Sequence, residues 1–166
     1  MLQTLTASHE AARQVGWKEV AAIEQEISKD REQLGDSRED NVRQQTKLWK
    51  LVQESVDQNG RRLAELFDEL PCRETYPDYY MLIQKPISLQ CIWQRIKQDP
   101  AMHVLQGAGQ QGYAAMSDFA EDMALLFANA RTYNLEVSQV VADANHMEAM
   151  IKKAYKKVFL KRNKRT

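Results

Sequence analysis

The stretch "SDFAEDMALLFANARTYNLE", residues 117–136, decides the fold. Phe119, Met123, Leu126, Phe127 and Ala130 recur at steps of three and four, which places them on one side of a helix. Ser117 has the chemistry of an N-cap, so the helix is expected to start there and to end at Asn134, just after Tyr133. An asparagine in that place has two readings. It can cap the helix, or it can hold two N–H donors and one carbonyl acceptor out to something that is not protein.

Working outward, the same rhythm returns. Ser138 opens a last helix with the stripe Ala144, Met147, Ile151, Ala154 and Val158. Upstream, Ser88 caps a helix with Leu89, Ile92, Trp93 and Ile96 on its buried face. From about residue 42, Leu48, Val52, Val56, Leu63, Leu66 and Leu70 predict one long amphipathic helix, interrupted at Gly60 and ended by Pro71. Between these helices lies "CRETYPDYYMLIQKPIS", residues 72–88, aromatic-rich and irregular, with Pro77 and Pro86. A connection of that length is unusual unless it has work to do. A second connection, 100–112, carries Gly107, Gly109 and Gly112. Four helices that each bury a single stripe predict an all-α four-helix bundle over 41–160.

Residues 1–40 read as a helical N-terminal extension, with Val20, Ile23, Ile27 and Leu34 in loose heptads and a break at Gly35 before a Ser37 cap signal. Whether this stripe packs on the bundle, pairs with another chain or does neither is open at this stage. The scarcity of glycine (6) and proline (4) in 166 residues also favours helix over a turn-rich β fold. The sequence has no apolar run of about 18 residues and no signal-peptide h-region, so no membrane partner is expected. Cys72 and Cys91 form no Cys-x-x-Cys and read as free thiols. Net charge is zero, yet "IKKAYKKVFLKRNKRT" (151–166) holds eight basic residues and no acid. Such a basic end, with 161–166 as a tail, is either a solvated helix end or a contact to DNA or nucleosomal phosphate.

Enzyme signatures are not evident. Asp143 and His146 make one carboxylate–histidine pair, too few for a metal-binding bundle, and no phosphate loop or nucleophile elbow occurs. No cofactor is expected. Asp122 reads as structural rather than as an acid catalyst.

The segments "YPDYYMLIQKPISLQCIWQRI" (76–96) and "YAAMSDFAEDMALLFANARTYNLEVSQVVADANHM" (113–147) together resemble a bromodomain. The shared pattern is Pro-Asp-Tyr-Tyr, Ile, Lys-Pro, a short helix, Phe-x-x-Asp, then Asn-Ala-x-x-Tyr-Asn. The short first loop "LFDELPCRETYPDYY" (66–80) looks most like the polybromo and SWI/SNF-type remodeller class. The resemblance implies a left-handed four-helix bundle and a nuclear, chromatin-bound reader of acetyl-lysine on histone tails, working with other chromatin-complex subunits. It places Asn134 as direct donor, Tyr79 as water partner and Val140 as gatekeeper. Ile83, Tyr76 and Tyr133 become wall candidates, and Leu70-Pro71-Cys72 stands where many members have Trp-Pro-Phe. Pro86-Ile87-Ser88 replaces the usual Pro-Met-Asp.

The chemistry is coherent. The acetyl-lysine carbonyl only accepts, so it needs the Asn134 N–H, and Tyr79 can reach the same oxygen through a water. A free ammonium would meet a donor and lose its hydration. One hydrogen bond and a small apolar contact imply affinity of about micromolar to millimolar. The rival expectation is a structural or assembly module of a chromatin complex whose pocket is weak or unused. Without the family, Tyr76, Tyr79 and Tyr80 could be core plugs with wet hydroxyls. The chain reads as part of a longer protein.

Overall fold

The computed structural model describes residues 38–98 and 112–163 together with Trp17 and Ala22, and side chains as far as residue 158. The expected stripe Val20, Ile23, Ile27 and Leu34, the Ser37 cap, nearly all of the 100–112 connection and the side chains of the 161–166 tail lie outside the described residues.

Among the described residues, five α-helices with given bounds follow one another: α1 (Arg38–Gln53), α2 (Pro77–Leu82), α3 (Leu89–Lys97), α4 (Met116–Tyr133) and α5 (Gln139–Asn163). A 3-10 turn, Glu65–Phe67, lies between α1 and α2. Helix α1 packs on α3 and α5, and α4 packs on α3 and α5, so the four longer helices close into a bundle. At its centre lie Leu48, Val52, Ile92, Ile96, Phe119, Met123, Phe127, Ala144, Met147 and Ile151, all at most 1% exposed.

Helix α5 buries Val141, Ala144, Met147, Ile151 and Tyr155. Tyr155, not Ala154, ends the fully buried part of that stripe, because it follows Ile151 by one helical turn. Ser88 caps α3 as expected, its Oγ accepting from the Cys91 N–H at 3.3 Å. Trp93 is only half-buried. It stacks on Trp49 at 4.5 Å, and Trp49 Nε1 donates to the Leu89 carbonyl at 2.8 Å. Helix α4 starts one residue before Ser117, and its N-cap is Ala115. The Asp118 carboxylate takes over the capping by accepting from the Ala115 N–H at 3.1 Å. A carboxylate in the first turn also suits the helix dipole.

The expected long helix over 42–70 is a correction. Helix α1 stops at Gln53, and the chain turns back on itself so that Val56 bridges Arg62 in antiparallel fashion. Asp57 is the cause. Its Oδ1 accepts from the Asn59 and Arg61 N–H groups at 2.8 and 3.0 Å, offering the backbone a partner other than a helical carbonyl. Gly60 supplies the φ of 80° that closes the turn. Leu63 and Phe67 still reach the core, but Leu66 is 72% exposed. Periodicity also missed α2, whose six residues are too few to show a stripe; Pro77 sits in its first turn, where a missing N–H costs nothing.

Asp122 is structural, joining α3 to α4. It accepts from Tyr113 Oη at 2.6 Å and pairs with Arg95 at 3.0 Å. Both cysteines are free thiols. At the N-terminal end, Trp17 is helical and 8% exposed, packed in the core cluster. Its Nε1 donates to Glu148 Oε2 at 3.0 Å. Glu148, 3% exposed, is also paired with Arg131 at 3.3 Å and Lys152 at 3.7 Å. The Lys152 ammonium lies 5.1 Å from the centre of the Trp17 ring. A buried carboxylate needs such partners, and the indole covers them from water.

Trp17→Ala is therefore expected to destabilise the bundle by about 3 kcal/mol in urea unfolding, as large-to-small core changes do. Trp17→Phe keeps a smaller aromatic ring and loses the hydrogen bond, and should cost less than the alanine change, about 1–2 kcal/mol. An alanine variant as stable as the parent would mean that Trp17 is not packed there.

Candidate functional site

At the end of the bundle where α4 meets α5, the long 54–88 connection folds over the helices and leaves a cavity of about 540 Å³. Three parts of the chain supply its lining. Leu126, Ala130, Tyr133 and Asn134 come from the end of α4, and Val140 from the first turn of α5. Pro71, Tyr76, Tyr79 and Ile87 come from the connection. The 3-10 turn and its flank add Glu65, Leu66, Phe67, Asp68 and Glu69.

Asn134 is the C-cap of α4. Its backbone N–H and its side-chain Nδ2 both donate to the Ala130 carbonyl, each at 3.0 Å. The capping reading of Asn134 is thus realised, and it does not exhaust the side chain. A primary amide has two N–H bonds and a carbonyl, and the Ala130 contact uses one N–H. The residue is half-buried on the cavity wall, so the rest of the amide can meet a ligand.

Tyr79 is 8% exposed and stands edge-on to Tyr80 at 5.4 Å and to Tyr133 at 4.9 Å. Burial raises its pKa above the ordinary tyrosine value, helped by the neighbouring tyrosines, so its hydroxyl stays a neutral donor at physiological pH. Tyr80 has a different task. Its hydroxyl donates to the Pro71 carbonyl at 2.6 Å, while the Arg73 guanidinium lies 4.0 Å over its ring. Tyr133 donates from its hydroxyl to Asp78 Oδ2 at 3.1 Å, which ties the end of α4 to α2. Asn129, 8% exposed, holds the far end of the connection by donating to the Lys85 carbonyl at 2.8 Å.

Of the residues expected at a site, the structure brings Asn134, Tyr79, Tyr133, Val140, Tyr76 and Pro71 to one cavity. Ile83 and Leu70 are not among its lining residues. Ile83 is the C-cap of α2 and is 3% exposed, its side chain taken up by packing. Leu70 is 39% exposed, and Cys72, two residues on, is exposed as well. Ala130 was assigned to the core alone, although its place one turn before Asn134 puts it under the amide. Glu65 to Glu69 were hidden by the helical reading of 42–70. The Asn59-Gly60 pair was the one signal of a turn there.

A salt bridge braces this end. Arg61 donates to both oxygens of Asp143 at 2.9 Å and to Asp57 at 3.1 Å, joining the 55–62 turn to α5 one turn beyond Val140. Gln139 also donates to Asp143 at 2.8 Å. Asp143 is therefore engaged as a structural acceptor, and among the described residues no cluster of three or more His, Cys, Asp and Glu could hold a metal. Burial pushes the Asp143 carboxyl up, but the bonds from Arg61 and Gln139 outweigh it and hold it below the usual carboxylate range. A depressed folded-state pKa stabilises above the unfolded value of about 4, and that contribution is lost as pH falls through the folded value. Arg61→Gln should thus be less stable than the parent in urea at pH 7, with the gap closing in strong acid. A gap that persisted unchanged at pH 2 would show that the carboxylate is not its source.

Comparison with known proteins agrees with this geometry. Residues 49–146 match the family model described as Bromodomain. The chain is similar to the chromatin structure-remodeling complex subunit snf21 of Schizosaccharomyces pombe, with 41% identity over 101 residues, 61% of this chain and 7% of that protein. It is 30% identical over 120 residues to the transcription regulatory protein SNF2 of Saccharomyces cerevisiae, 72% of this chain and 6% of that protein. It is also 30% identical over 99 residues to the S. pombe chromatin structure-remodeling complex subunit rsc4, 60% of this chain and 16% of that protein. The chain thus spans a small part of the length of each relative. With the family model covering more than half of its residues, the chain belongs to the bromodomain family.

Proposed function

We propose that this chain binds Nε-acetyl-lysine of histone tails in the cavity between its long connection and the ends of α4 and α5. Membership of the bromodomain family supports an acetyl-lysine reader, and the relatives' names supply the chromatin setting. The observation that carries the reading is the joint presence of Asn134, Tyr79, Tyr133 and Val140 around one cavity.

In this reading the second Asn134 N–H donates to the acetyl carbonyl, while the first stays on Ala130. The Tyr79 hydroxyl meets the same oxygen through a water. Val140, Ile87 and Pro71 cover the methyl group and the lysine methylenes, and Ala130 leaves room beneath the amide. Free lysine is refused because its ammonium would lose hydration and face a donor. The domain is a binding module, so any catalytic activity would come from other parts of the protein that contains it. A nuclear location within a remodelling complex follows from the same reading.

Asn134→Ala is expected to weaken binding of acetylated histone peptides at least tenfold, about 1.4 kcal/mol or more, in titration calorimetry. It also removes one capping bond, so a stability loss of about 1 kcal/mol should accompany it. Tyr79→Phe should weaken binding less, by roughly three- to tenfold, because only the water contact is lost. Unchanged affinity in Asn134→Ala would sink the assignment and leave the asparagine as a cap alone.

A further inference from the structure

The cavity lining contains three carboxylates, Glu65, Asp68 and Glu69, and no lysine, arginine or histidine. Asp68 is compensated: the Arg62 guanidinium donates to both its oxygens, at 2.9 and 3.0 Å, and is itself held on the Gln53 carbonyl at 3.0 Å. Glu65 and Glu69 are not held in this way, although Arg62 and Glu65 also attract one another. Both are exposed, and among the described residues neither forms a salt bridge. Glu65 opens the 3-10 turn and Glu69 lies two residues beyond its end, while Leu66, 72% exposed, lines the same cavity. The rim of the cavity on this side is thus negative and partly apolar, while the floor around Asn134 and Tyr79 is neutral.

We infer that this rim selects the context of the acetylated residue: the preferred ligand is an acetyl-lysine peptide that carries an unmodified lysine or arginine close by. The inference rests on the reader function proposed above and adds a specificity element to it. The physical argument has three steps. The acetyl-amide carries no net charge and is the same in every acetyl-lysine, so the flanks decide which acetyl-lysine is kept. Two exposed carboxylates attract a cationic flank, and a charge pair at such an exposed place is worth a few-fold in affinity. The long stem of lysine or arginine can lie on Leu66 while its head reaches the carboxylates. Acetylating the neighbouring lysine removes that charge, so a doubly acetylated peptide should bind less well than a singly acetylated one unless the second acetyl group finds its own amide. An acidic flank should be repelled.

Titration calorimetry of the full chain tests this with two peptides that share one acetyl-lysine and differ only in having lysine or glutamine beside it. At low salt the parent should prefer the lysine peptide by about three- to tenfold. The preference should shrink in about 1 M salt, where the Debye length falls to about 3 Å. In Glu65→Gln/Glu69→Gln it should vanish, whereas Asn134→Ala should weaken both peptides alike. If the parent binds both peptides equally, or if the double variant keeps the preference, the inference is overturned and the reader function stands. If neither peptide binds the parent although both carry acetyl-lysine, the reader function falls and the inference falls with it.

Discussion

The carbonyl of Ala130 is the point on which the site depends. A helix that ends inside a packed structure leaves its last carbonyls without intrahelical donors, and each needs a partner. Asn134 answers for Ala130 twice, through its backbone N–H and through its side chain. That pair of hydrogen bonds fixes the amide against the end of α4. A side chain held by its own helix loses little further freedom when a ligand arrives, so its remaining N–H is ready to be used. The capping and binding readings of this asparagine therefore support each other, because the cap is what aims the donor.

Preorganisation extends outward from there. A connection of more than thirty residues, much of it irregular, would be a poor wall if it moved freely. Instead it is tied at several places: Arg61 to Asp143, Arg62 to Asp68 and the Gln53 carbonyl, Tyr80 to the Pro71 carbonyl, Tyr133 to Asp78, and Asn129 to the Lys85 carbonyl. These bonds link the connection to α1, α4, α5 and itself. The aromatic run at 76–80 divides its labour accordingly. Tyr79 lines the cavity, and Tyr80, next to it, holds the Pro71 carbonyl. Trp17 donates to Glu148, which pairs with Arg131 of α4, so the helix that ends at Asn134 is also tied to α5.

Much of this was legible in the residues. The stripes of α3, α4 and α5 follow directly from spacing, because each helix buries one face against the others. Ser88 and Ser138 open helices as their chemistry suggests, each hydroxyl accepting a backbone N–H within its first turn. The pocket residues Asn134, Tyr79 and Val140 came from a family pattern, not from periodicity, which cannot tell a cap from a binding amide. The failures share a cause. Between Val56 and Leu70 the apolar residues keep a helical rhythm by coincidence, and the local bonds of Asp57 and the left-handed Gly60 override it. That error hid the acidic side of the cavity. The capping of α4 by Asp118 rather than Ser117 is a smaller case, where a first-turn carboxylate reaches a donor that the hydroxyl does not. Trp17 gave no signal of its own, since an amphipathic stretch can bury its stripe on its own chain, the commoner case, or on another.

The most direct test is to watch the Asn134 side-chain amide itself. In nitrogen–proton correlation spectra its two N–H resonances can be followed while a histone peptide carrying one acetyl-lysine is added. The account predicts that one of them moves strongly downfield as it meets the acetyl carbonyl and the other, already bonded to Ala130, moves little, with no response to the unacetylated peptide. Both resonances staying still while the peptide binds elsewhere, or shifting equally for the unacetylated peptide, would contradict it.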